Sequence, residues 1–317
     1  MSKKKRKQTN NSKLFTLILI LIAFLYGTFF DQINETFGLM YEDAYDNINT
    51  TISNKKESFN NSKETLKVYY IDVGQADAIM IENENEFMVI DGGNNNDGPL
   101  LVKYYQSLGI TDFKYVIGTH PHEDHIGGLD DIIDNFNVGT IYIPDAITTT
   151  QTFEDLLDAI ERKNMTYEVP NIDNTFTLGD ATLKIIYTGT DTTDLNNTSI
   201  VLKMTYGKDT FLFTGDATDT TEKKILNKDI EAEVLKVGHH GSKYSSTTEF
   251  LKKVNPKYAI ISVGKNNNYG HPAINTISKL NKLNIETHRT DEEGTIIIES
   301  NGNGIKISSE QTNTNGG

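Results

Sequence analysis

Thr119-His-Pro-His-Glu-Asp-His-Ile-Gly-Gly128 is the stretch of this 317-residue chain that decides its fold and its chemistry. Side chains two residues apart in an extended segment point to the same side, so His120 and His122 can reach one cation. The proline between them favours the extended conformation that this arrangement needs. Asp124 and His125 then turn back toward the same space. Because imidazole and carboxylate suit Zn²⁺, Mn²⁺ or Fe²⁺, the stretch predicts a metal site.

The composition narrows the kind of site and the kind of partner. No cysteine occurs, which excludes disulfides, thiolate zinc ligands, iron–sulfur clusters and cysteine nucleophiles, so histidine and carboxylate must hold any metal. With 30 Lys and Arg against 44 Asp and Glu, the formal net charge is −14. We therefore expect no broad basic face that grips nucleic acid, although a small local site is compatible with this charge.

Outside this stretch, short apolar runs typical of strands alternate with amphipathic runs of helical period. Strands are predicted at residues 66–72, 78–82, 87–91, 113–118, 140–144, 182–187, 200–206, 210–213, 232–237, 258–263 and 295–299, with a hairpin return at 304–308. Helices are predicted at residues 99–108, 129–136, 153–162, 218–226, 247–254 and 273–283. Strands are clustered early and alternate with helices later, which predicts packed sheets with helices outside, an α/β sandwich.

Acidic and histidine residues at the ends of predicted strands are further candidates. Asp91 ends an apolar run before two glycines, where it could form a turn or, as we prefer, orient a histidine. Asp216 could cap the following helix, but the metal-ligand role is favoured. His239 and His240 would point to opposite sides of a strand, so both can bind one ion only if the chain bends. We choose His239 as the ligand and His240 as a substrate contact, and the reverse order stays open.

Weaker candidates lie in predicted loops. His271 belongs to the loop at residues 266–272 and could contact substrate, protonate a leaving group or be no more than part of the loop. Lys243 and Lys265 are candidates for contact with a phosphate group. His288 is expected to be structural or on the surface.

The N-terminus predicts a membrane anchor. Residues 1–13 carry six Lys and Arg, and residues 14–30 form an uncharged run of 17 residues rich in Leu, Ile and Phe. Such a run can cross a bilayer, and its basic flank keeps the N-terminus in the cytoplasm. No small residues with Ala-x-Ala spacing follow it, which favours a retained anchor over a cleaved signal peptide. We expect a single-pass protein of the cytoplasmic membrane with an extracellular C-terminal domain, or a secreted protein if the segment is cleaved.

The remaining chain divides into a linker, a domain and a tail. Residues 31–64 are polar without a sustained period and predict a flexible linker, residues 65–308 the globular domain, and residues 309–317 a disordered tail. Beyond residue 30 the chain holds 24 basic against 44 acidic residues, a net charge of −20. The exported part is thus strongly acidic.

Several segments resemble one known family. His120, His122, Asp124 and His125 reproduce the His-x-His-x-Asp-His signature of the metallo-β-lactamase superfamily. Further similar segments are Phe87-Met-Val-Ile-Asp91-Gly-Gly, Phe211-Leu-Phe-Thr-Gly-Asp216, Lys236-Val-Gly-His239-His240-Gly-Ser, Asp72-Val-Gly-Gln-Ala-Asp77 and Tyr269-Gly-His271-Pro272. From about residue 66 to residue 308 the chain resembles the hydrolase domain of ComEC-type competence proteins, whose relatives include enzymes that cleave choline-phosphate ester on teichoic acid.

This resemblance implies an αββα four-layer sandwich with its site at one edge of two sheets, and metal-dependent hydrolysis with one or two Zn²⁺ or Mn²⁺ ions. The implied metal ligands are His120, His122, Asp124, His125, Asp216 and His239. Catalytic roles fall to Asp124 and His271, and supporting or substrate-contacting roles to Asp72, Asp91, Asn197, His240, Lys243 and Lys265.

One departure from the family concerns the metal ligands. Most members carry another histidine between the first cluster and the later aspartate, but the histidines here are residues 120, 122, 125, 239, 240, 271 and 288. Asn197, Thr198 or Ser199 stands near the missing position. We therefore expect the first metal to lack one ligand and to be held weakly, while Asp216 connects two ions if both are present.

Three functions remain open at this point. The first is an extracellular phosphodiesterase or nuclease acting on DNA or on a teichoic-acid-like wall polymer. The second is a hydrolase of an uncharged ester, lactone or β-lactam, and the third is a surface binding protein with an inactive site. The intact ligand set argues against the third, and the ComEC-like segments favour the first. Competence does not follow, because one apolar segment cannot form the pore of a transporter.

Overall fold

Fifteen strands run through the part of the chain that this computed structural model describes, residues 65–190 and 193–310. They are β1 (Leu66–Tyr70), β2 (Ala78–Asn83), β3 (Glu86–Gly92), β4 (Asp112–Ile117), β5 (Asn137–Tyr142), β6 (Tyr167–Glu168), β7 (Thr175–Leu178), β8 (Ala181–Tyr187), β9 (Val201–Tyr206), β10 (Asp209–Phe213), β11 (Val234–Lys236), β12 (Tyr258–Ile261), β13 (Glu286–Arg289), β14 (Thr295–Ser300) and β15 (Ile305–Glu310). One sheet has the order β15-β14-β1-β2-β3-β4-β5-β6 and the other β13-β12-β11-β10-β9-β8-β7.

Helices follow many of these strands. They are α1 (Gly98–Ser107), α2 (Glu123–Ile126), α3 (Leu129–Asn135), α4 (Gln151–Arg162), α5 (Asp219–Ile225), α6 (Thr248–Val254), α7 (Ile274–Lys282) and α8 (Thr290–Glu293). Threonine side chains cap three of them: Thr150 accepts a hydrogen bond from Phe153 N at the start of α4, and Thr218 and Thr247 cap α5 and α6. Each cap satisfies a backbone donor that the first turn of a helix leaves free.

The buried side chains of the described residues show four layers. In β1, Val68 and Tyr70 pack between the sheets, whereas Tyr69 faces the side covered by α1, α3 and α4. In β10, Phe213 lies between the sheets and Leu212 packs toward α5, α6 and α7. Successive residues of a strand point to opposite faces, so both strands are apolar on both faces. The predicted αββα sandwich of two sheets is confirmed.

Some elements differ from those that the sequence predicts. β6 has two exposed residues, and β13, with the sequence Glu-Thr-His-Arg, lies at a sheet edge with no apolar alternation to reveal it. The four-residue helices α2 and α8 are too short to show a helical period. The predicted disordered tail begins too early, since Ser309 and Glu310 continue β15 and Glu310 accepts a 2.6 Å hydrogen bond from the hydroxyl of Tyr104.

The predicted basic segment 1–13, anchor 14–30 and linker 31–64 lie outside the described residues, as do residues 311–317 of the tail. Within residues 65–190 and 193–310, no helix has the length and apolar character needed to cross a membrane.

The topology determines where a site can form. β3 and β4 are parallel neighbours in the first sheet, and β10, β11 and β12 are parallel neighbours in the second. Ligands bind outside the carboxyl ends of parallel strands, where the connecting loops meet. The loops that leave these five strands carry the acidic and histidine residues described next.

Candidate metal centre

The first part of the site is the histidine loop, residues 119–128, which joins β4 to α2 and continues to the start of α3. His122 is extended, with φ −85° and ψ 150°, at the start of α2. His120 is fully buried, and its Nε2 lies 3.0 Å from Nδ1 of His122. The structure therefore brings these two rings together as their spacing predicts.

Asp91, at the end of β3, fixes this loop through hydrogen bonds to Thr119 and His125. Its carboxylate is fully buried and accepts hydrogen bonds from Thr119 N at 2.7 Å and Thr119 Oγ1 at 2.8 Å. Its Oδ2 also lies 2.8 Å from Nδ1 of His125. This contact directs the other ring nitrogen of His125 toward the centre of the site, which is the orienting role preferred from the sequence.

Asp216 is the centre around which the other side chains gather. Its Oδ1 lies 3.2 Å from Nε2 of His125. Its Oδ2 lies 3.7 Å from Nε2 of His239, 3.8 Å from Nε2 of His240 and 4.0 Å from Nε2 of His120. The side chain does not cap α5, because Thr218 does so. The placement agrees with the ligand role preferred for Asp216.

The histidine turn, Gly238–Gly241, brings two consecutive histidines to the same cluster. His239 and His240 have φ of 53° and 50°, so both are left-handed. A left-handed non-glycine residue costs about 1–2 kcal/mol, and such strain is concentrated at functional sites. Here the bend lets both rings face Asp216, which an ordinary strand would prevent.

The two rings of this turn have different surroundings. Nε2 of His240 lies 3.2 Å from Asp124 Oδ2, and its Nδ1 lies 3.0 Å from the carbonyl oxygen of Ser262. His239 is partly exposed, and its ring centroid lies 5.6 Å from that of His271. His240 therefore lies among the candidate ligands together with His239, whereas the sequence favours His239 as the ligand and His240 as a substrate contact, with the reverse order open.

Ligand atoms of Asp124, His125, Asp216 and His240 all lie within 4.8 Å of one another. We call these four residues the inner group. His125 Nε2 and Asp216 Oδ1 are buried and face each other without the geometry of a hydrogen bond. Buried polar atoms are normally bonded, so the pair fits an ion that both atoms would bind. Nitrogen and carboxylate donors of this kind suit Zn²⁺, Mn²⁺ or Fe²⁺.

The charges of the inner group are strongly coupled. Burial lowers the pKa of His125, but the carboxylates of Asp216 and Asp91 outweigh burial and hold that pKa well above its usual range. Burial likewise opposes the positive charge of His240, yet Asp216 and Asp77 raise its pKa to about 10. Burial raises the pKa of Asp216, while the rings of His125 and His240 hold it well below its usual range. The positive charges of protonated His125 and His240 thus offset the negative charges of the neighbouring carboxylates, at the place where a cation could bind instead.

Asp77 and Lys236 were missed as site residues by the sequence analysis. Both side chains are buried, and Lys236 Nζ lies 2.7 Å from Asp77 Oδ2. Asp77 Oδ1 in turn lies 3.3 Å from Nδ1 of His240. The available signal was a lysine inside the apolar run Val234-Leu-Lys-Val, at a position that a buried strand would enclose.

Two residues proposed from the sequence have other contacts in the structure. Asn197 accepts hydrogen bonds from the hydroxyls of Thr218 at 2.6 Å and Thr221 at 3.0 Å, so its side chain is directed to α5. Asn197, Thr198 and Ser199 stand near the missing histidine. The hydroxyl of Ser199 accepts a 3.1 Å hydrogen bond from the backbone N–H of Asp216. Asp72 accepts a 3.1 Å bond from Gly74 N in its own turn.

The remaining candidates lie on loops. Lys243 is exposed, with Nζ 4.9 Å from the ring centroid of Tyr244, and Lys265 is exposed after β12. His271 is partly buried beside His239 and Tyr269. Burial and the neighbouring His239 lower the pKa of His271 to about 4. Its ring is then neutral near pH 7, which favours a substrate contact over proton donation to a leaving group.

Comparison with known proteins agrees with this geometry. The family model described as metallo-beta-lactamase superfamily matches residues 71–265. ComE operon protein 3 of Bacillus subtilis (strain 168) is 31% identical over 251 residues, which cover 73% of this chain and 32% of that protein. Competence protein ComA of Neisseria gonorrhoeae is 26% identical, with 80% and 35% covered. Recombination protein 2 of Haemophilus influenzae is also 26% identical, with 75% and 29% covered.

The chain thus spans about a third of the length of these curated relatives. Among solved structures, the metallo-beta-lactamase fold protein YhfI from Bacillus subtilis superposes with a TM-score of 0.52 at 12% identity, covering 75% of this chain and 100% of that one. At this identity the similarity is one of fold.

Proposed function

This chain belongs to the metallo-beta-lactamase superfamily. From that membership we propose that it catalyses the metal-dependent hydrolysis of phosphodiester bonds in DNA or in a teichoic-acid-like wall polymer. The observation that carries the proposal is the inner group, in which two imidazoles and two carboxylates converge from both sheets. Such a set would hold a divalent ion, Zn²⁺ or Mn²⁺.

We also propose a second, outer ion. His120 Nε2 and His239 Nε2 lie 4.0 and 3.7 Å from Asp216 Oδ2, and His122 Nδ1 lies 3.0 Å from His120 Nε2. Three imidazole nitrogens together with a carboxylate oxygen are a donor set that zinc sites use. His239 would then supply the nitrogen that the missing histidine supplies in other family members, and Asp216 would contact both ions.

When bound, such ions supply Lewis-acid charge to a phosphate group and activate water for attack on phosphorus. The chain's own residues would position the substrate. Nδ1 of His239 and Nδ1 of His271 are buried without a hydrogen-bond partner among residues 65–190 and 193–310. The neutral ring of His271 could contact a phosphate oxygen. Two exposed lysines would assist, Lys243 shortly after the histidine turn and Lys265 shortly before His271.

Two facts bear on the choice of substrate. Relatives are named for competence and for recombination, and recombination acts on DNA. Against this, the net charge of −14 disfavours long-range attraction of a polyanion. Recognition would therefore be local, at the ions and the loop lysines.

The test is hydrolysis by the purified full-length chain of bis-p-nitrophenyl phosphate, single-stranded DNA, choline-phosphate ester and nitrocefin, each with Zn²⁺ or Mn²⁺. We expect phosphodiester cleavage that chelation abolishes and that His240→Ala removes. His288→Ala is the matched control, because that ring is held by Glu286 and Glu293 on and beside β13. Cleavage of nitrocefin alone would favour the uncharged-substrate hydrolase, and bound metal without any hydrolysis would favour a binding protein.

We further propose that the protein is anchored in the cytoplasmic membrane by residues 14–30, with the hydrolase domain outside the cell. The support is the basic segment followed by the apolar run. Protease added to intact cells is expected to remove the domain. Protection of the domain in intact cells, with digestion after lysis, would contradict this topology.

A further inference from the structure

We infer that Asp77 and Lys236 act as a buried positioning pair, which fixes the ring of His240 so that its Nε2 faces Asp124 and Asp216. This inference rests on the metal binding proposed above and not on the identity of the substrate. The pair lies on the side of His240 that faces away from the proposed ion.

The first step is that the pair is not explained by stability alone. Lys236 is 0% and Asp77 1% exposed, and Nζ and Oδ2 are 2.7 Å apart. Desolvation of two charges offsets most of their attraction, so an apolar pair of similar volume is often as stable or more so. A different role is therefore needed to account for charges at these two positions.

The second step concerns the proton on His240. Its Nδ1 lies 3.3 Å from Asp77 Oδ1 and 3.0 Å from the carbonyl oxygen of Ser262. Both oxygens are acceptors, so Nδ1 keeps its proton, which is hydrogen-bonded to Ser262 with Asp77 Oδ1 beside it. Nε2 faces Asp124 Oδ2 at 3.2 Å, so it is the ring nitrogen that would give up its proton and bind the metal.

The third step concerns Lys236. Its Nζ holds Oδ2 of Asp77, which leaves Oδ1 turned toward His240, and it also donates a 3.1 Å hydrogen bond to the carbonyl oxygen of Val237 at the start of the histidine turn. Asp77 Oδ2 lies only 3.9 Å from Nδ1 of His125. By neutralising Asp77, Lys236 lets Asp91 remain the partner of that nitrogen, at 2.8 Å.

The fourth step is that the pair joins the two sheets. Asp77 directly precedes β2, its N–H donates a 3.0 Å hydrogen bond to the carbonyl oxygen of Asp124, and its own carbonyl accepts one from Gly93 N at 2.8 Å. Lys236 is the last residue of β11 in the other sheet. The pair therefore sets the ligands of the histidine loop and the histidine turn relative to each other.

One test uses the unmutated protein. Zinc-loaded protein labelled with ¹⁵N at histidine is examined by long-range ¹H–¹⁵N correlation, with His240→Ala used for assignment. We expect His240 to carry its proton on Nδ1, with Nε2 unprotonated. A ring protonated on Nε2, or one that exchanges between tautomers, would overturn the inference.

A second test separates position from charge. Asp77→Leu with Lys236→Met replaces the pair by apolar groups of similar size, whereas Asp77→Asn with Lys236→Met keeps an acceptor oxygen at residue 77. We expect both double variants to fold, the first to bind the inner ion about 10- to 100-fold more weakly by calorimetric titration, and the second to stay close to the parent. Lys203→Met with Asp229→Asn, which removes a 2.7 Å pair between Lys203 of β9 and Asp229 beyond α5, is the control and should leave the affinity unchanged.

Equal affinity of the two double variants would show that Asp77 does not position His240. If the apolar variant fails to fold, Asp77→Ala with Lys236→Met takes its place, because alanine also leaves no side-chain acceptor at residue 77, and an affinity equal to that of the parent would overturn the inference. Both readouts concern the proton and the metal, so a protein that binds metal but cleaves no phosphodiester would contradict the proposed function without altering either result.

Discussion

The histidine loop and the histidine turn both place imidazole rings beside Asp216, but they are built in different ways. In the histidine loop, His122 has ordinary extended dihedral angles and His125 is held by the buried Asp91. In the histidine turn, two successive residues adopt left-handed angles, φ 53° and 50°. The loop obtains its geometry from spacing and side-chain contacts, whereas the turn obtains it from a strained backbone. The spacing of the loop histidines is enough to predict that they share a site, whereas the sequence of the turn does not show that both of its rings face the same site.

The largest effect is expected when the histidine loop loses its buried ring. His125→Ala leaves the carboxylates of Asp91 and Asp216 without their partner, and breaking a buried charge pair costs about 3–5 kcal/mol. We expect a loss of this size in the free energy of unfolding by urea, together with loss of the inner ion by elemental analysis. His288→Ala is the control. Metal content equal to that of the parent would contradict the inner group.

The two rings of the histidine turn are expected to bind different ions. His240→Ala is expected to remove the inner ion and His239→Ala the outer one, so that each variant keeps about half of the parent's metal. Calorimetric titration after chelation should show one class of site in each variant, the weaker class in His240→Ala because His122 and His239, which would hold the outer ion, are partly exposed. Loss of the same ion from both variants would show that the turn serves one ion only.

A smaller effect, on stability alone, is expected at Asn197. Its oxygen accepts bonds from two threonine hydroxyls, and its nitrogen donates to Asp194 at 3.1 Å. Asn197→Ala would leave buried hydroxyls unpaired at a cost of about 1–3 kcal/mol. We expect urea to unfold this variant earlier, while the metal affinities stay those of the parent. A weakened outer ion would instead indicate that Asn197 belongs to the site.

The smallest expected effect is a difference in the free energy of unfolding that reports the backbone strain of the histidine turn. In metal-free protein, His239→Gly should be about 1 kcal/mol more stable than His239→Ala, because glycine accepts a left-handed φ and alanine does not. Urea unfolding in the presence of chelator gives the difference. Equal stability of the two variants would show that the turn relaxes when the ring is removed.

Much of this architecture can be predicted from the sequence, for identifiable reasons. Alternating and continuous apolar runs mark the long strands and predict the sandwich, and the spacing of His120, His122 and His125 predicts a shared site. The edge strand β13 escapes prediction because none of its four side chains is buried, so it has no apolar pattern.

The rest of the site depends on contacts between distant parts of the chain. Asp77 and Lys236 meet only because β2 and β11 belong to sheets that pack together, and no local pattern links them. Asn197 looks like a substitute ligand in the sequence, but its side chain accepts hydrogen bonds from the hydroxyls of Thr218 and Thr221 at the start of α5. The choice between His239 and His240 depended on a backbone conformation that the sequence does not display.

The division of the ligands between two sheets makes the proposed ion a cross-link. Asp124 and His240 are 116 residues apart in the chain, and an ion held by both would close a loop of that length. Because an ion that binds only the folded state shifts the equilibrium by mass action, stability would rise with the free metal concentration. Opening the sandwich would also require release of the ion, so chelation should hasten unfolding. If the domain lies outside the cell, as proposed, the supply of metal would then set its lifetime among proteases as well as the proposed activity.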